Sequence, residues 1–159
     1  MKIYTKTGDN GQTSLVDNSR VSKSSNVILA VGALDEANAR LGSLLVEIND
    51  KTISQEIKNV QSRLFDCGAI VADPSCSIKG SLFIGKEYIN DLESSIDLMS
   101  RELAPLTTFI LPGGNEASVR AHLARSAVRF AERQVVGLKE SGQDLPGEVL
   151  QFLNRLSDW

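Results

Sequence analysis

Ten residues near the start of the chain, Thr5-Lys6-Thr7-Gly8-Asp9-Asn10-Gly11-Gln12-Thr13-Ser14, have the composition of an anion cradle. Gly8 and Gly11 free the backbone to turn and bring N–H groups together. The Lys6 ammonium and the hydroxyls of Thr5, Thr7, Thr13 and Ser14 add donors suited to phosphate oxygens, and Lys23 is a further charge within reach. The same composition also fits a mobile polar arm, a common state of terminal segments.

A second group recurs at helical spacing: His122, Arg125, Arg129, Glu132 and Arg133. At about 100° per residue they share roughly a third of a helix circumference. Arginines stacked at this spacing repel one another unless anions face them, and their guanidinium forks match phosphate oxygens. The bland alternative is a solvated face with intrahelical ion pairs.

Other patterns carry less. Gly80-Ser81-Leu82-Phe83-Ile84-Gly85-Lys86-Glu87 has the first part of a P-loop spacing. It lacks the Ser or Thr that would hold magnesium and follows no buried strand, so it reads as a loop leading into a helix. His122 alone reads as a hydrogen-bonded helix residue rather than a metal ligand or general base. One histidine and two cysteines, Cys67 and Cys76, make no familiar zinc or di-iron site, so a participating metal should arrive with a ligand.

The elements that must position these groups are helical. Val27, Val31, Leu34, Leu41, Leu45 and Ile48 share one side of a helix from about 26 to 49. Ile53, Ile57, Val60, Leu64, Cys67 and Val71 repeat the spacing until Asp73-Pro74 ends it, and residues 74–84 read as a loop. Ile89, Leu92, Ile96, Met99 and Leu103 mark a third helix closed before Pro105. Phe109-Ile110-Leu111 runs into the breaker Pro112-Gly113-Gly114. A fourth helix over about 115–140 carries the seam Ala117, Ala121, Ala124, Val128, Ala131, Val135 and Leu138, about 120° from the polar stripe. A last helix holds Val149, Leu150, Leu153 and Leu156. Residues 1–25 show no helical period and read as a loop or extended arm, and no alternating strand pattern competes. The expected architecture is all-α: one domain over 1–159, with a polar arm at 1–25 and a five-helix bundle at 26–159.

The 159 residues suffice to close a hydrophobic core, and 42% hydrophobic with 23% charged residues is ordinary for a globular protein. A net charge of −3 gives no reason to expect nucleic acid or an anionic membrane. The first residues lack the apolar run of a signal peptide, and the cysteines read as reduced thiols of a cytoplasmic protein.

Taken together, the segments resemble one family, the PduO-type ATP:cob(I)alamin adenosyltransferases. Thr5 to Thr13 resembles the family's N-terminal ATP loop. Gly32-Ala33-Leu34-Asp35-Glu36-Ala37-Asn38-Ala39-Arg40-Leu41-Gly42 is similar to its first-helix signature. Phe109-Ile110-Leu111-Pro112-Gly113-Gly114 matches the segment before its long basic helix. Ala124-Arg125-Ser126 and Arg129-Phe130-Ala131-Glu132-Arg133 resemble that helix, and Leu153-Asn154-Arg155-Leu156-Ser157-Asp158 its closing motif. The matches run in family order across nearly the whole chain.

The resemblance implies a ferritin-like five-helix bundle assembled as a homotrimer with sites between subunits. It implies ATP, magnesium on its phosphates and cob(I)alamin or a related corrinoid as the reacting components. ATP-binding roles fall on Thr5, Lys6, Thr7, Gly8, Asp9, Gly11, Thr13, Ser14, Lys23, Arg129, Glu132, Arg133 and Asn154. Asp35 and Arg125 match a pair joining subunits beside the site, and Phe109 an aromatic on the corrinoid side, so Asp35, Phe109, Arg125 and Arg129 make up the expected catalytic set. A corrinoid reductase or an adenosylcobalamin-dependent enzyme is an expected protein partner. Phe130 departs from the pattern, standing where many relatives carry a second arginine. Relatives usually continue past the position of Trp159 with a segment that would help cover the corrinoid. Two other readings stay open: a paralogue that carries or senses a corrinoid without turnover, and a helical ATPase or kinase releasing ADP.

Overall fold

The computed structural model describes residues 3–73 and 83–159. Cys76, the Gly80-Ser81-Leu82 start of the P-loop-like segment and most of the expected 74–84 loop lie outside the described residues. The elements run β1 (Gln12–Ser14), β2 (Arg20–Ser22), α1 (Asn26–Leu45), α2 (Lys51–Val71), α3 (Lys86–Ser100), α4 (Glu116–Glu140) and α5 (Gly147–Asp158). The five expected helices are present. Among the described residues none is long and apolar enough to cross a membrane.

Local chemistry sets the helix boundaries. Asp50 caps α2, its Oδ1 accepting from the Thr52 and Ile53 amides at 2.8 and 3.0 Å. Asn115 caps α4 by accepting from the Ser118 amide at 2.9 Å, while the Ser118 hydroxyl donates to the Gly113 carbonyl at 2.7 Å. Gly114 turns the chain into that cap at φ +111°, a value that L side chains avoid. At the far end of α2, Gln143 donates to the otherwise orphaned Val71 carbonyl at 2.8 Å.

Helix α1 packs on α4 and α2, α4 also on α5, and α3 on α5. Leu34, Ile57, Leu64, Cys67, Val71, Val128, Val135, Val149, Phe152 and Leu153 lie deepest in the shared core. Burial pushes the Cys67 thiol far above its ordinary range, which leaves it protonated and inert. The α1–α4 seam is lined by Ala30, Ala33, Ala37, Ala124 and Ala131, all buried. Side chains this small let two helices approach closely.

Several sequence expectations need correction. Helix α1 stops at Leu45 instead of 49, and α3 at Ser100, leaving Leu103 outside the helix and 69% exposed. The restriction that Pro105 places on Ala104 works against helix beyond that point. Ala121 faces solvent although its spacing put it on the α4 seam, and Phe152, not singled out from the sequence, is a central core residue. The arm, expected as a loop or extended segment, contains an antiparallel ribbon that pairs Thr13 with Val21, and Leu15 beside it is buried.

Between α1 and α2, Asn38 Nδ2 donates to the Gln61 carbonyl at 3.2 Å and Gln61 Nε2 donates to the Asn38 carbonyl at 3.1 Å. Gly42 makes room for this lock, since a Cβ there would sit 3.2 Å from Gln61 Nε2. The buried Asn38 Oδ1 has no partner, which offsets part of what the lock contributes. Asn38→Ala should therefore cost only about 1 kcal/mol, the low end for a buried hydrogen bond. Urea unfolding would measure it, and a loss several times larger would show that the lock holds α2 in register.

Candidate functional site

The N-terminal loop is built on backbone turns. Lys6 and Gly11 sit at φ +62° and +76°. The Gly11 amide donates to the Gly8 carbonyl at 3.1 Å, and the Lys23 amide donates to the Gly11 carbonyl at 2.9 Å. A Cβ at Gly8 would stand 3.1 Å from Lys23 Nζ and 3.3 Å from the Gln12 carbonyl oxygen. Thus the Lys23 ammonium lies over the loop backbone at Gly8, while the Lys6 ammonium stands 5.9 Å from the Tyr4 ring centroid. Thr5 and Thr7 share a hydroxyl hydrogen bond of 2.9 Å. Arg20, which sequence reading passed over, donates to the Thr7 carbonyl at 2.8 Å and to the Ser14 hydroxyl at 3.2 Å. Its signal appears only once the β1–β2 register places it opposite Ser14. The result is a shallow, cation-rimmed cradle open to solvent.

The polar stripe of α4 divides three ways. Arg129 and Glu132 turn to α5: Arg129 Nη1 donates to Ser157 Oγ at 3.3 Å, and Asn154 Nδ2 donates to Glu132 Oε1 at 3.0 Å. Ser157, nearly buried, in turn donates to the Asn154 carbonyl at 2.9 Å. Arg155 steadies Asn154 from the other side at 3.2 Å and is itself paired with Glu93 at 2.7 Å. Ser157, Arg155 and Glu93 were not expected as a support for this cluster, because their contacts cross between helices.

Arg133 leaves the cluster. Its guanidinium carbon lies 5.8 Å from the Phe130 ring centroid, and both residues line a groove of about 670 Å³ between α4 and α1. His122 and Arg125 instead border a concavity of about 550 Å³ with Leu106, Thr107, Thr108, Phe109 and Ile110. Phe109 is fully exposed, and Leu106 and Leu111 nearly so.

Within one chain no bond among the described residues draws these parts together. Arg120 near the start of α4 bonds Ser43 and Glu47 near the end of α1, so the two helices run antiparallel. The arm that precedes α1 therefore lies toward the far end of α4, the end on which Arg133 lines a groove with Ile28 and Leu29. Among the described residues no hydrogen bond or ion pair links Thr5–Lys23 to α4 or α5, and none joins Asp35 to Arg125.

Residues 3–159 match the family model for cobalamin adenosyltransferases. The chain belongs to this family. It is 39% identical over 166 residues to the corrinoid adenosyltransferase of Bacillus subtilis (strain 168), covering 100% of this chain and 82% of the relative. To the corrinoid adenosyltransferase MMAB of Bos taurus it is 40% identical over 164 residues, covering 99% and 68%. Among solved structures, a variant PduO-type ATP:corrinoid adenosyltransferase from Lactobacillus reuteri, complexed with cobalamin and ATP, is similar. It superposes with a TM-score of 0.91 at 36% identity, covering 99% of this chain and 88% of that one. Family membership and the five-helix architecture thus agree with the expectation drawn from the motifs.

The ribbon that carries the loop has a titratable support. Asp17 Oδ1 accepts from the Ser19 hydroxyl at 2.6 Å and its amide at 2.9 Å. These bonds hold the Asp17 carboxyl below its ordinary value of 3.8. Because the folded value is the lower one, the turn's contribution is present above the ordinary aspartate range and is lost as pH falls through the depressed value. An NMR titration of the side-chain carboxyl should give a midpoint below 3.8. An unshifted midpoint would show that the turn is not held this way.

Proposed function

We propose that this chain transfers the 5′-deoxyadenosyl group of ATP to the cobalt of cob(I)alamin or a related corrinoid, releasing triphosphate. The supporting observation is that a loop overlaid by a lysine ammonium, a braced arginine and an exposed apolar wall holding Phe109 occur together on a chain that matches the family over residues 3–159.

In this reading Thr5 to Asp9, Gly11, Thr13, Ser14 and Lys23 of the arm hold ATP, with Arg129, Glu132, Arg133 and Asn154. Magnesium enters on the ATP phosphates as part of the substrate. Cob(I)alamin is itself a strong nucleophile, so its electron pair forms the cobalt–carbon bond at C5′ while the carbon–oxygen bond to triphosphate breaks. The protein need only place the two reactants and stabilise the leaving charge. Lys23 over Gly8 and Arg129 bonded to Ser157 are the cations that can do so. Phe109 would occupy the space beneath the corrinoid, excluding a lower axial ligand and easing reduction of cob(II)alamin.

Because no bond within one chain joins the cradle to the arginine cluster or Asp35 to Arg125, we place the complete site between copies, in a homotrimer. Leu29, Leu123 and Phe130 are exposed apolar residues along the α1–α4 groove that a neighbouring copy would cover. Asp35 and Arg125 would pair across that contact. Phe130, in the place of an arginine, contributes packing there. The location we assign is the cytoplasm, and a corrinoid reductase or an adenosylcobalamin-dependent enzyme remains a proposed protein partner.

The test is an anaerobic assay with chemically reduced cob(I)alamin, ATP and magnesium. Adenosylcobalamin with stoichiometric triphosphate is expected. ATP binding without product would favour a carrier or sensor, and ADP a different enzyme. Arg129→Ala should lower the rate a hundredfold or more, about 3–4 kcal/mol of transition-state stabilisation. Phe109→Ala should impair formation of four-coordinate cob(II)alamin more than ATP binding, and the reverse pattern would remove Phe109 from the corrinoid side. Light scattering should give the mass of three chains, whereas a monomer retaining full activity would overturn the shared site.

A further inference from the structure

We infer that Arg20 is a positioning residue that sets the nucleotide loop in its binding conformation before ATP arrives. The inference rests on the proposed role of that loop. Lys6 holds φ +62°, in the left-handed region that a residue with a Cβ enters only when its surroundings require it. The next residue is where Arg20 acts, with Nη2 donating to the Thr7 carbonyl at 2.8 Å. The same guanidinium reaches Ser14 Oγ through Nη1 at 3.2 Å. Ser14 is the ladder partner of Arg20, so the fork starts from the fixed ribbon and ties the loop's turning backbone to it.

Three residues later, the Lys23 amide holds the Gly11 carbonyl at 2.9 Å while its ammonium lies over Gly8. Strand β2 and its exit therefore grip the loop at both ends, Thr7 through Arg20 and Gly11 through Lys23. One planar fork makes two bonds in set directions, which a lysine ammonium on its flexible stem does not reproduce. Without the fork, ordering Lys6 and Thr7 would fall on ATP binding and weaken it, while the bound complex, once formed, would react normally.

The test compares the full-length protein with Arg20→Gln and Arg20→Lys. Expected for Arg20→Gln are a Kd and KM for ATP raised roughly tenfold, with kcat at saturating ATP and KM for the corrinoid within about twofold of the parent. Amide exchange in peptides covering residues 3–15 should accelerate, and the melting temperature should hold. Arg20→Lys should recover only part of the affinity. Unchanged ATP affinity and exchange in Arg20→Gln would overturn the inference. So would full recovery by Arg20→Lys, or a fall in kcat at saturation, which would make Arg20 a direct partner of the reacting groups. If Arg20→Gln does not fold, Arg20→Lys decides by the same readouts. If the parent binds ATP without turnover, the proposed reaction fails while Kd and exchange still decide the role of Arg20. If it binds no ATP, the nucleotide reading fails, and unchanged loop exchange in the variants would overturn the brace itself.

Discussion

The close seam between α1 and α4 is the constraint on which the remaining geometry depends. Ala30, Ala33 and Ala37 of α1 are buried together with Ala124 and Ala131 of α4, so backbone rather than side-chain bulk defines their separation. With that face committed, the angular position of every other α4 residue follows. Arg129 and Glu132 meet α5, Arg125 and His122 face the Phe109 concavity, and Phe130 and Arg133 edge the groove beside α1. The Asn38–Gln61 lock sets α2 against the other side of α1.

The charged groups gain little from their contacts in the isolated chain. Exposed ion pairs contribute about 0–1 kcal/mol each, and Arg40–Glu36 is of that kind. What distinguishes Arg129 is its support: a nearly buried serine that is itself bonded to the α5 backbone. Such bracing costs stability only slightly and limits the arrangements a guanidinium explores. Under the proposed reading, a neighbouring copy would exclude water from these groups, and their electrostatic effect would rise as the local dielectric falls.

Periodicity made the helices legible. Val128, Val135 and Leu138 are buried where the seam required, and Asn115 after Pro112-Gly113-Gly114 is a helix cap. The ribbon was not legible, because three-residue strands are too short to show alternation. A helical wheel placed the arginine stripe correctly around α4 but could not say which neighbour each residue meets. That is why Arg133 parts from Arg129, and why Ser157 and Arg155 went unseen as supports. Leu103 has the right spacing for α3 but lies beyond the helix that would use it.

The three-way use of α4 also bears on how such a chain can vary. Each face is read by a different neighbour, so exchanging one residue disturbs one relationship at a time. Adding or removing a residue between Glu116 and Glu132 would turn everything beyond it by about 100°. The core side chains would then face solvent, and the arginine braced by α5 would face elsewhere. Variation in this helix is therefore restricted more tightly in length than in letter.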